Sequence, residues 1–205
     1  MMKQFLDDPI LFTSKMTGRR VIKCHLPMEM QPKDLVEKAK VIYVARNIKD
    51  ASVSFFHHMV NMTPHDFKGD MDDFLDISEK ELHMYGSYFH HVLGGWALRD
   101  HRNFKFIWYE DMKKDIRKEV TEICEFVNHP LSSEKIDQLI DHISIDSMKK
   151  NPSVNVPKSE NQRGDFIRKG IVGDHKNNFS EERNARWNAW ISQKLEGTGM
   201  VMPGI

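Results

Sequence analysis

Short apolar runs rich in β-branched and aromatic residues alternate along the chain with longer stretches in which apolar residues recur at helical spacing. The clearest run, 40–46, is a continuous apolar, β-rich block ending in a polar residue, which is typical of a parallel strand buried on both faces, and residues 104–109 favour a further strand. Amphipathic stretches at 50–62 and 116–127 follow them. This alternation predicts a single domain, residues 1–205, with an α/β fold in which a central, mainly parallel sheet is flanked by helices. Further helical patterns cover residues 33–39, 81–98, 133–142 and 181–195.

Residues 20–25 also favour a short strand, which Pro27 ends. Since side chains alternate along a strand, Lys23 and His25 are predicted to share one face, with Cys24 pointing away. A neutral imidazole can accept a proton from a hydroxyl near neutral pH, and an ammonium beside it can stabilise negative charge on a group in transfer. The two residues are therefore a candidate catalytic pair. The alternative is a histidine at a strand end that only forms a hydrogen bond.

A candidate anion site lies at the carboxyl end of the strand at 40–46, where ligands bind in open parallel sheets. Arg46 is placed at that end, and Ser54 follows about two helical turns later on the next helix. A guanidinium offers a planar fork of donors to two phosphate oxygens, and a hydroxyl can serve a third. The alternative is an ion pair between Arg46 and Asp50. Lys49 is expected to be a solvated charge on the helix.

A second candidate anion site lies in residues 151–173, where proline, glycine and charged residues predict a long surface loop. Arg168 and Lys169 are adjacent cations, and the missing side chain of Gly170 lets backbone N–H groups approach an anion closely. A basic tripeptide in a loop is weak support by itself. Together with Arg46, it predicts that the two groups hold one phosphate from opposite sides.

The charge balance argues against polyanionic partners. Lysine plus arginine and aspartate plus glutamate number 30 each, and the isoelectric point is about 7.2, so no net field favours a nucleic acid or a membrane surface. The adjacent histidine pairs at 57–58 and 90–91 point in different directions on a helix. They do not predict a metal site.

The N-terminal run offers no signal peptide, because Asp7, Asp8 and Pro9 interrupt its apolar residues. Cys24 and Cys124 lie in apolar segments, without the spacing of a metal or redox motif. Both observations favour a reducing compartment, and the expected location is cytoplasmic.

Three motifs, in this order, resemble those of the cytosolic sulfotransferase family. Residues 20–27, RVIKCHLP, resemble the family's Lys-Thr-His-Leu-Pro strand, and residues 41–54, VIYVARNIKDASVS, resemble its 3′-phosphate segment. Residues 166–179, FIRKGIVGDHKNNF, are similar to its Arg-Lys-Gly loop. Shorter matches are YGS at 85–87, YEDM at 109–112 and MKKNP at 148–152. The similarity extends over almost the whole chain.

The resemblance implies the family's P-loop-kinase-like fold and in-line transfer, without a metal, of a sulfuryl group from 3′-phosphoadenosine 5′-phosphosulfate. The implied acceptor is a hydroxyl or amine of a small molecule such as a phenol, an alcohol, a steroid or a retinoid-like compound. It implies that His25 is the base, that Lys23 stabilises the transferring group, and that residues 151–175 close over the nucleotide. The implied nucleotide-binding residues are Arg46, Ser54, Tyr109, Ser144, Arg168, Lys169 and Gly170.

The chain also departs from the family pattern. No segment resembles the N-terminal Pro-Lys-Ser-Gly-Thr phosphosulfate loop, so we expect either a fragment of a longer enzyme or a relative that has lost its first strand and that loop. The alternative function is thus a catalytically weak or inactive nucleotide-binding relative, and a third is a partner for a full-length paralogue. Ile143 replaces a threonine near the adenine, and His175 replaces a tryptophan. The dimer motif is degraded, with a charge at Glu181 in its apolar centre, which leaves a homodimer open.

Overall fold

The computed structural model describes residues 13–62, 65–155 and 164–204. The N-terminal run through residue 12 and part of the predicted loop at 151–173 lie outside these ranges. Two strands and nine α-helices are assigned within them. The strands are β1 (Val41–Ala45) and β2 (Phe104–Trp108), and the helices are α1 (Leu35–Lys38), α2 (Ile48–Asn61), α3 (Met71–Glu79), α4 (Tyr88–Trp96), α5 (Tyr109–Lys114), α6 (Ile116–Phe126), α7 (Ser133–His142), α8 (Ile145–Lys150) and α9 (Glu181–Leu195). Short 3₁₀ turns cover Met28–Met30 and Asp174–Asn177.

The sheet is parallel, as the alternation of strands and helices predicts. β1 pairs with β2 from Val41 opposite Phe104 to Ala45 opposite Trp108. The prediction that β1 is buried on both faces is wrong for one face, because Ile42 and Val44 are exposed, Val44 by 53%. Ile42 and Val44 instead line a cavity described below.

The strand predicted at residues 20–25 is wrong. These residues have no assigned strand pairing within the described chain, and Val21 is 92% exposed. A β-rich composition becomes a strand only where a neighbouring backbone offers donors and acceptors. Here both sheet strands belong to other segments, so the run stays irregular.

Most predicted helices are present, with one shift, and three further helices, α3, α5 and α8, were not predicted. The pattern at 81–98 becomes a helix only from Tyr88, because Gly86 adopts a left-handed φ of 76° and the Ser87 side chain caps α4 by accepting from His90 N. Of the helices that were not predicted, α3 has a capping box between Asp70 and Asp73 that the sequence already displays.

The main core lies between the sheet, α2, α4 and the C-terminal helix α9. Trp187 and Ile191 of α9 are fully buried against Trp108 of β2 and Val92 of α4. Within the described residues, none of the helices combines the length and the apolar character needed to cross a bilayer. A smaller core forms where α6 packs on α7 around Val120, Cys124 and Ile136.

Lys49, expected to be solvated, is in fact 2% exposed. Its Nζ donates to the side-chain oxygens of Asn184, at 2.7 Å, and Asn188, both on α9. Burial lowers the pKa of this lysine. A charge at the start of α2 therefore holds the C-terminal helix against the sheet.

Candidate functional site

The carboxyl edge of the sheet brings together two residues that are far apart in sequence. Ala45 at the end of β1 is opposite Trp108 at the end of β2. The residues that follow them, Arg46 and Tyr109, therefore emerge at the same edge of the sheet. The Arg46 guanidinium carbon lies 4.5 Å from the centre of the Tyr109 ring. The ring supports the cation from one side, as aromatic faces do. Two of the predicted nucleotide-binding residues are thus in direct contact.

Arg46 is held by several partners and still has a free donor. Its Nη2 donates to the carbonyl oxygen of Ile171 at 2.8 Å and lies 3.6 Å from Asp50 Oδ2. The ion pair offered as an alternative to phosphate binding therefore exists. Arg46 Nε, however, is buried and finds no acceptor among the described residues. A buried donor without a partner is costly, so this atom favours an acceptor from a ligand.

The predicted cationic turn is organised by a buried carboxylate. Asp174 is 1% exposed and accepts from Arg168 Nη2 at 2.6 Å and from Lys169 Nζ at 2.8 Å. Burial alone would raise its pKa, but the bonds from Lys169 and Arg168 outweigh burial and lower the pKa to about 2. The carboxylate therefore stays charged and fixes both cations in one place.

A second buried carboxylate, Asp50 of α2, ties the same turn to the sheet edge. Its oxygens accept from Gly173 N at 2.6 Å, from His175 N at 3.0 Å and from the His175 ring at 2.6 Å. Burial raises the pKa of Asp50, but these hydrogen bonds outweigh it and bring the pKa to about 2. His175, where the family has tryptophan, is buried here and serves as a donor to Asp50.

The predicted phosphate-binding groups converge on one cavity of about 370 Å³. Arg46, Ser54 and Arg168 all line it, so the two halves of the predicted clamp face the same space. His57 lines it too, and both burial and the charge of Arg168 lower the pKa of that histidine. Asp165 adds a carboxylate to the wall. We call this space the anion cavity.

Gly170 lies near Tyr109, and neither Gly170 nor Ser144 lines the anion cavity. Gly170 has a φ of 63°, and a Cβ there would lie 2.8 Å from Ile145 Cδ1 and 3.8 Å from Tyr109 Oη. Ser144, directly before Ile145, caps α8 by accepting from Ser147 N at 3.2 Å. Gly170 is therefore required for a close approach between the cationic turn and α8, whereas the Ser144 hydroxyl is used as a helix cap.

A larger cavity of about 440 Å³ shares Arg46 with the anion cavity as a lining residue. We call it the acceptor cavity. His25 and Tyr85 line it, with ring centres 5.6 Å apart, and His83 adds a further imidazole whose pKa is lowered by burial. Lys23 is exposed and is not among the lining residues. The structure thus brings His25, but not Lys23, to the cavity.

The residues that sequence reasoning missed are those that organise the site. Asp174 and His57 received no role from the sequence, and Asp50 was considered only as a partner of Arg46. The signal for Asp174 was its position six residues after Arg168, within the loop motif. The sequence carried no signal for His57, whose role depends on which face of α2 borders the cavity.

The sequence matches known proteins along nearly all of its length. A family model described as Sulfotransferase domain matches residues 4–199. Sulfotransferase 1B1 of Mus musculus is 35% identical over 190 residues, which are 90% of this chain and 64% of that protein. Sulfotransferase 1E1 of Homo sapiens is 34% identical over 200 residues, which are 95% of this chain and 68% of that protein. This chain therefore spans about two thirds of the length of these relatives.

The fold also matches a solved structure. Retinol dehydratase in complex with androsterone and the inactive cofactor PAP aligns with a TM-score of 0.89 at 29% identity, over 100% of this chain and 64% of that protein. The predicted α/β class with a parallel sheet is thereby confirmed. Because the family model covers most of the chain and relatives 34–35% identical match at least 90% of it, this chain belongs to the sulfotransferase domain family.

Proposed function

We propose that this chain binds 3′-phosphoadenosine 5′-phosphosulfate and supports sulfuryl transfer to a hydroxyl or amine of a small acceptor. One observation carries the proposal: Arg46 is a wall of both the anion cavity and the acceptor cavity, and its guanidinium rests on the Tyr109 ring. A nucleotide phosphate in the anion cavity and an acceptor in the acceptor cavity would therefore be neighbours. Transfer between two bound molecules requires that arrangement.

The side chains present fit the 3′-phosphate of such a nucleotide. Arg46 Nε is a buried donor without an acceptor among the described residues, and Arg168 supplies a second guanidinium to the same cavity. The Ser54 hydroxyl faces the same space. These groups are the donors that a dianionic phosphate needs, and guanidinium–phosphate bonds are among the stronger protein hydrogen bonds. Tyr109 and Gly170 would line the nucleotide next to them, and Lys169 would add charge to the cationic turn.

When bound, the nucleotide supplies the sulfuryl group. The chain's own contribution is to hold the phosphate, to keep the acceptor beside it and to move a proton. His25 lines the acceptor cavity and would accept the proton of the acceptor hydroxyl. Lys23 would have to turn toward the acceptor cavity to stabilise negative charge on the leaving phosphate. We treat residues 1–205 as one domain in which residues 151–175 close over the nucleotide, in a cytoplasmic protein.

A second function is favoured by the exposed position of Lys23 outside the acceptor cavity. In that case the chain binds the nucleotide but transfers slowly or not at all. Nucleotide binding and transfer must therefore be measured separately.

Binding is tested by calorimetry with 3′,5′-bisphosphoadenosine. Arg46→Ala and Arg168→Ala are each expected to raise Kd about 10- to 100-fold, because each removes a charged hydrogen-bond donor to phosphate. Arg102→Ala, at an exposed arginine whose side chain lies 4.0 Å from Glu37, is the matched control and should leave Kd unchanged. Wild-type chain that does not bind the nucleotide would contradict both functions.

Transfer is tested with labelled donor and a panel of phenols, alcohols, steroids and amines. Turnover that falls by about 100-fold or more in His25→Ala, a typical contribution of a general base, would support the enzyme. His129→Ala, at an exposed histidine far along the chain, is the control. Nucleotide binding without turnover would support the inactive relative, and turnover unchanged in His25→Ala would rule out His25 as the base.

A further inference from the structure

Among the described residues, the segment that carries His25 pairs with no strand. Residues 20–25 are irregular, and His25 itself is exposed although it lines the acceptor cavity. A general base must be held within hydrogen-bonding reach of its proton donor. Other contacts must therefore fix the position of this residue.

One of those contacts comes from His91 of α4. Its Nε2 lies 3.2 Å from the backbone oxygen of His25, and its Nδ1 lies 2.6 Å from the hydroxyl oxygen of Tyr43 on β1. A carbonyl oxygen can only accept, so Nε2 must carry the proton. In the neutral ring Nδ1 is then an acceptor, and the Tyr43 hydroxyl, whose oxygen also lies 3.1 Å from the His91 carbonyl oxygen, donates to Nδ1 over the shorter distance. The chain of bonds therefore has one direction, from Tyr43 through His91 to His25.

We propose that His91 is a positioning residue that links the His25 backbone to strand β1. The link is structural, and its catalytic consequence rests on the proposed function. Tyr43 is a suitable anchor, because it is half-buried in the sheet and stacks on Phe106 with ring centres 5.2 Å apart. His91 thus connects the irregular segment that carries His25 to β1, which is packed in the sheet.

Other contacts hold different parts of the segment that carries His25. The His25 ring packs on Tyr85, which stacks in turn on Phe55 of α2 at 5.9 Å. His90, the residue before His91, forms an ion pair with Glu29 in the turn that follows the His25 segment. These contacts hold the ring and the far end of the segment. Gln31 Nε2 donates to the next carbonyl oxygen, that of Leu26, at 3.1 Å, and the bond from His91 holds the carbonyl oxygen of His25 itself.

Two substitutions of His91 distinguish its bond to the His25 carbonyl from its contact with Tyr43. A glutamine side chain carries its amide near the position of Nε2, so His91→Gln keeps a donor for the His25 carbonyl. An asparagine side chain ends near the position of Nδ1, so His91→Asn keeps only the contact with Tyr43. Both variants place a neutral amide at position 91 of the same helix, and they differ mainly in side-chain length. His129→Asn serves as the control for a histidine outside the site.

The first readout is hydrogen–deuterium exchange of the Leu26 amide in the full chain, because this N–H belongs to the same peptide unit as the His25 carbonyl and donates to Cys24 Sγ at 3.4 Å. We expect His91→Asn to speed exchange of this amide about five- to tenfold, as expected for the loss of one hydrogen bond, and His91→Gln to stay within about twofold of wild type. Exchange that is equal in the two variants would overturn the proposal.

The second readout is transfer. We expect kcat to fall about five- to tenfold in His91→Asn with Kd for 3′,5′-bisphosphoadenosine unchanged, and to be largely kept in His91→Gln. A parallel loss of nucleotide binding, or equal kcat in both variants, would contradict the positioning role. If wild-type chain shows no turnover, the proposed function fails, and the exchange comparison still decides whether His91 holds the segment.

Discussion

Replacing Asp50 by asparagine tests whether the cationic turn is held by a buried charge. The side chain is 1% exposed and accepts hydrogen bonds from Gly173 N and from both the backbone and the ring of His175. An amide oxygen of the same size carries no charge and is a weaker acceptor for these donors. Asp50→Asn therefore removes the charge of the carboxylate while leaving the packing of α2 nearly unchanged.

The magnitude follows from the pKa. The folded-state pKa of Asp50 is about 2, against an ordinary value of 3.8. At about 1.4 kcal/mol per pH unit, this shift corresponds to about 2.5 kcal/mol of unfolding free energy. Because the folded pKa is depressed, the stabilisation is fully present above about pH 4 and disappears as the pH falls through about 2. The difference between wild type and Asp50→Asn is thus expected to be about 2–3 kcal/mol at neutral pH and to shrink below about pH 4.

The assay is urea unfolding at a series of pH values, followed by tryptophan fluorescence. The control is Asp100→Asn, because Asp100 is exposed and pairs only with Arg99 in the described chain, at 3.4 Å. That control is expected to change stability by no more than about 0.5 kcal/mol at any pH. A difference for Asp50→Asn that is below about 1 kcal/mol at neutral pH, or that does not vary with pH, would refute the reasoning.

Two further predictions concern the cationic turn and the core. Gly170→Ala forces a side chain onto a φ of 63° and places Cβ 2.8 Å from Ile145 Cδ1, so Kd for 3′,5′-bisphosphoadenosine is expected to rise about fivefold by calorimetry. Gly199→Ala has the same strain at a φ of 66° but no atom within 4 Å, and an equal rise in Kd there would contradict this explanation. Trp187→Ala is expected to cost about 3–5 kcal/mol in urea unfolding, because this ring is fully buried. Val201→Ala, at an exposed apolar residue, should change stability by less than about 0.5 kcal/mol. Similar losses of stability in both variants would contradict the burial of Trp187 in the core.

The elements that could be predicted are those whose signal is local. β1 has a continuous apolar run with a polar end, β2 is rich in aromatic and β-branched residues, and α7 and α9 have caps and apolar spacing that place their ends. Arg46 could be placed at the candidate site because a parallel sheet presents the ends of its strands at one edge. The contact with Tyr109 follows from the same rule once the strand register is known.

The residues that could not be predicted depend on distant partners. Asp50 receives its hydrogen bonds from residues 123 and 125 positions further along the chain, and no local pattern encodes that pairing. Lys49 resembles a solvated charge until α9 supplies the oxygens of Asn184 and Asn188. Residues 20–25 have the composition of a strand, but pairing requires a neighbour that the sequence does not reveal. In each case the outcome depended on a tertiary contact.

The parallel pairing of β1 with β2 also has a consequence for the order of folding. The sheet joins Val41 to Phe104 across the whole of α2, α3 and α4, so its backbone bonds form only after a long loop has closed. Loop closure costs entropy before any contact compensates for it, whereas helices form from neighbours along the chain. Arg46 meets Tyr109 only when this late pairing is complete. A refolding chain would therefore acquire most of its helices before it acquires affinity for an anion.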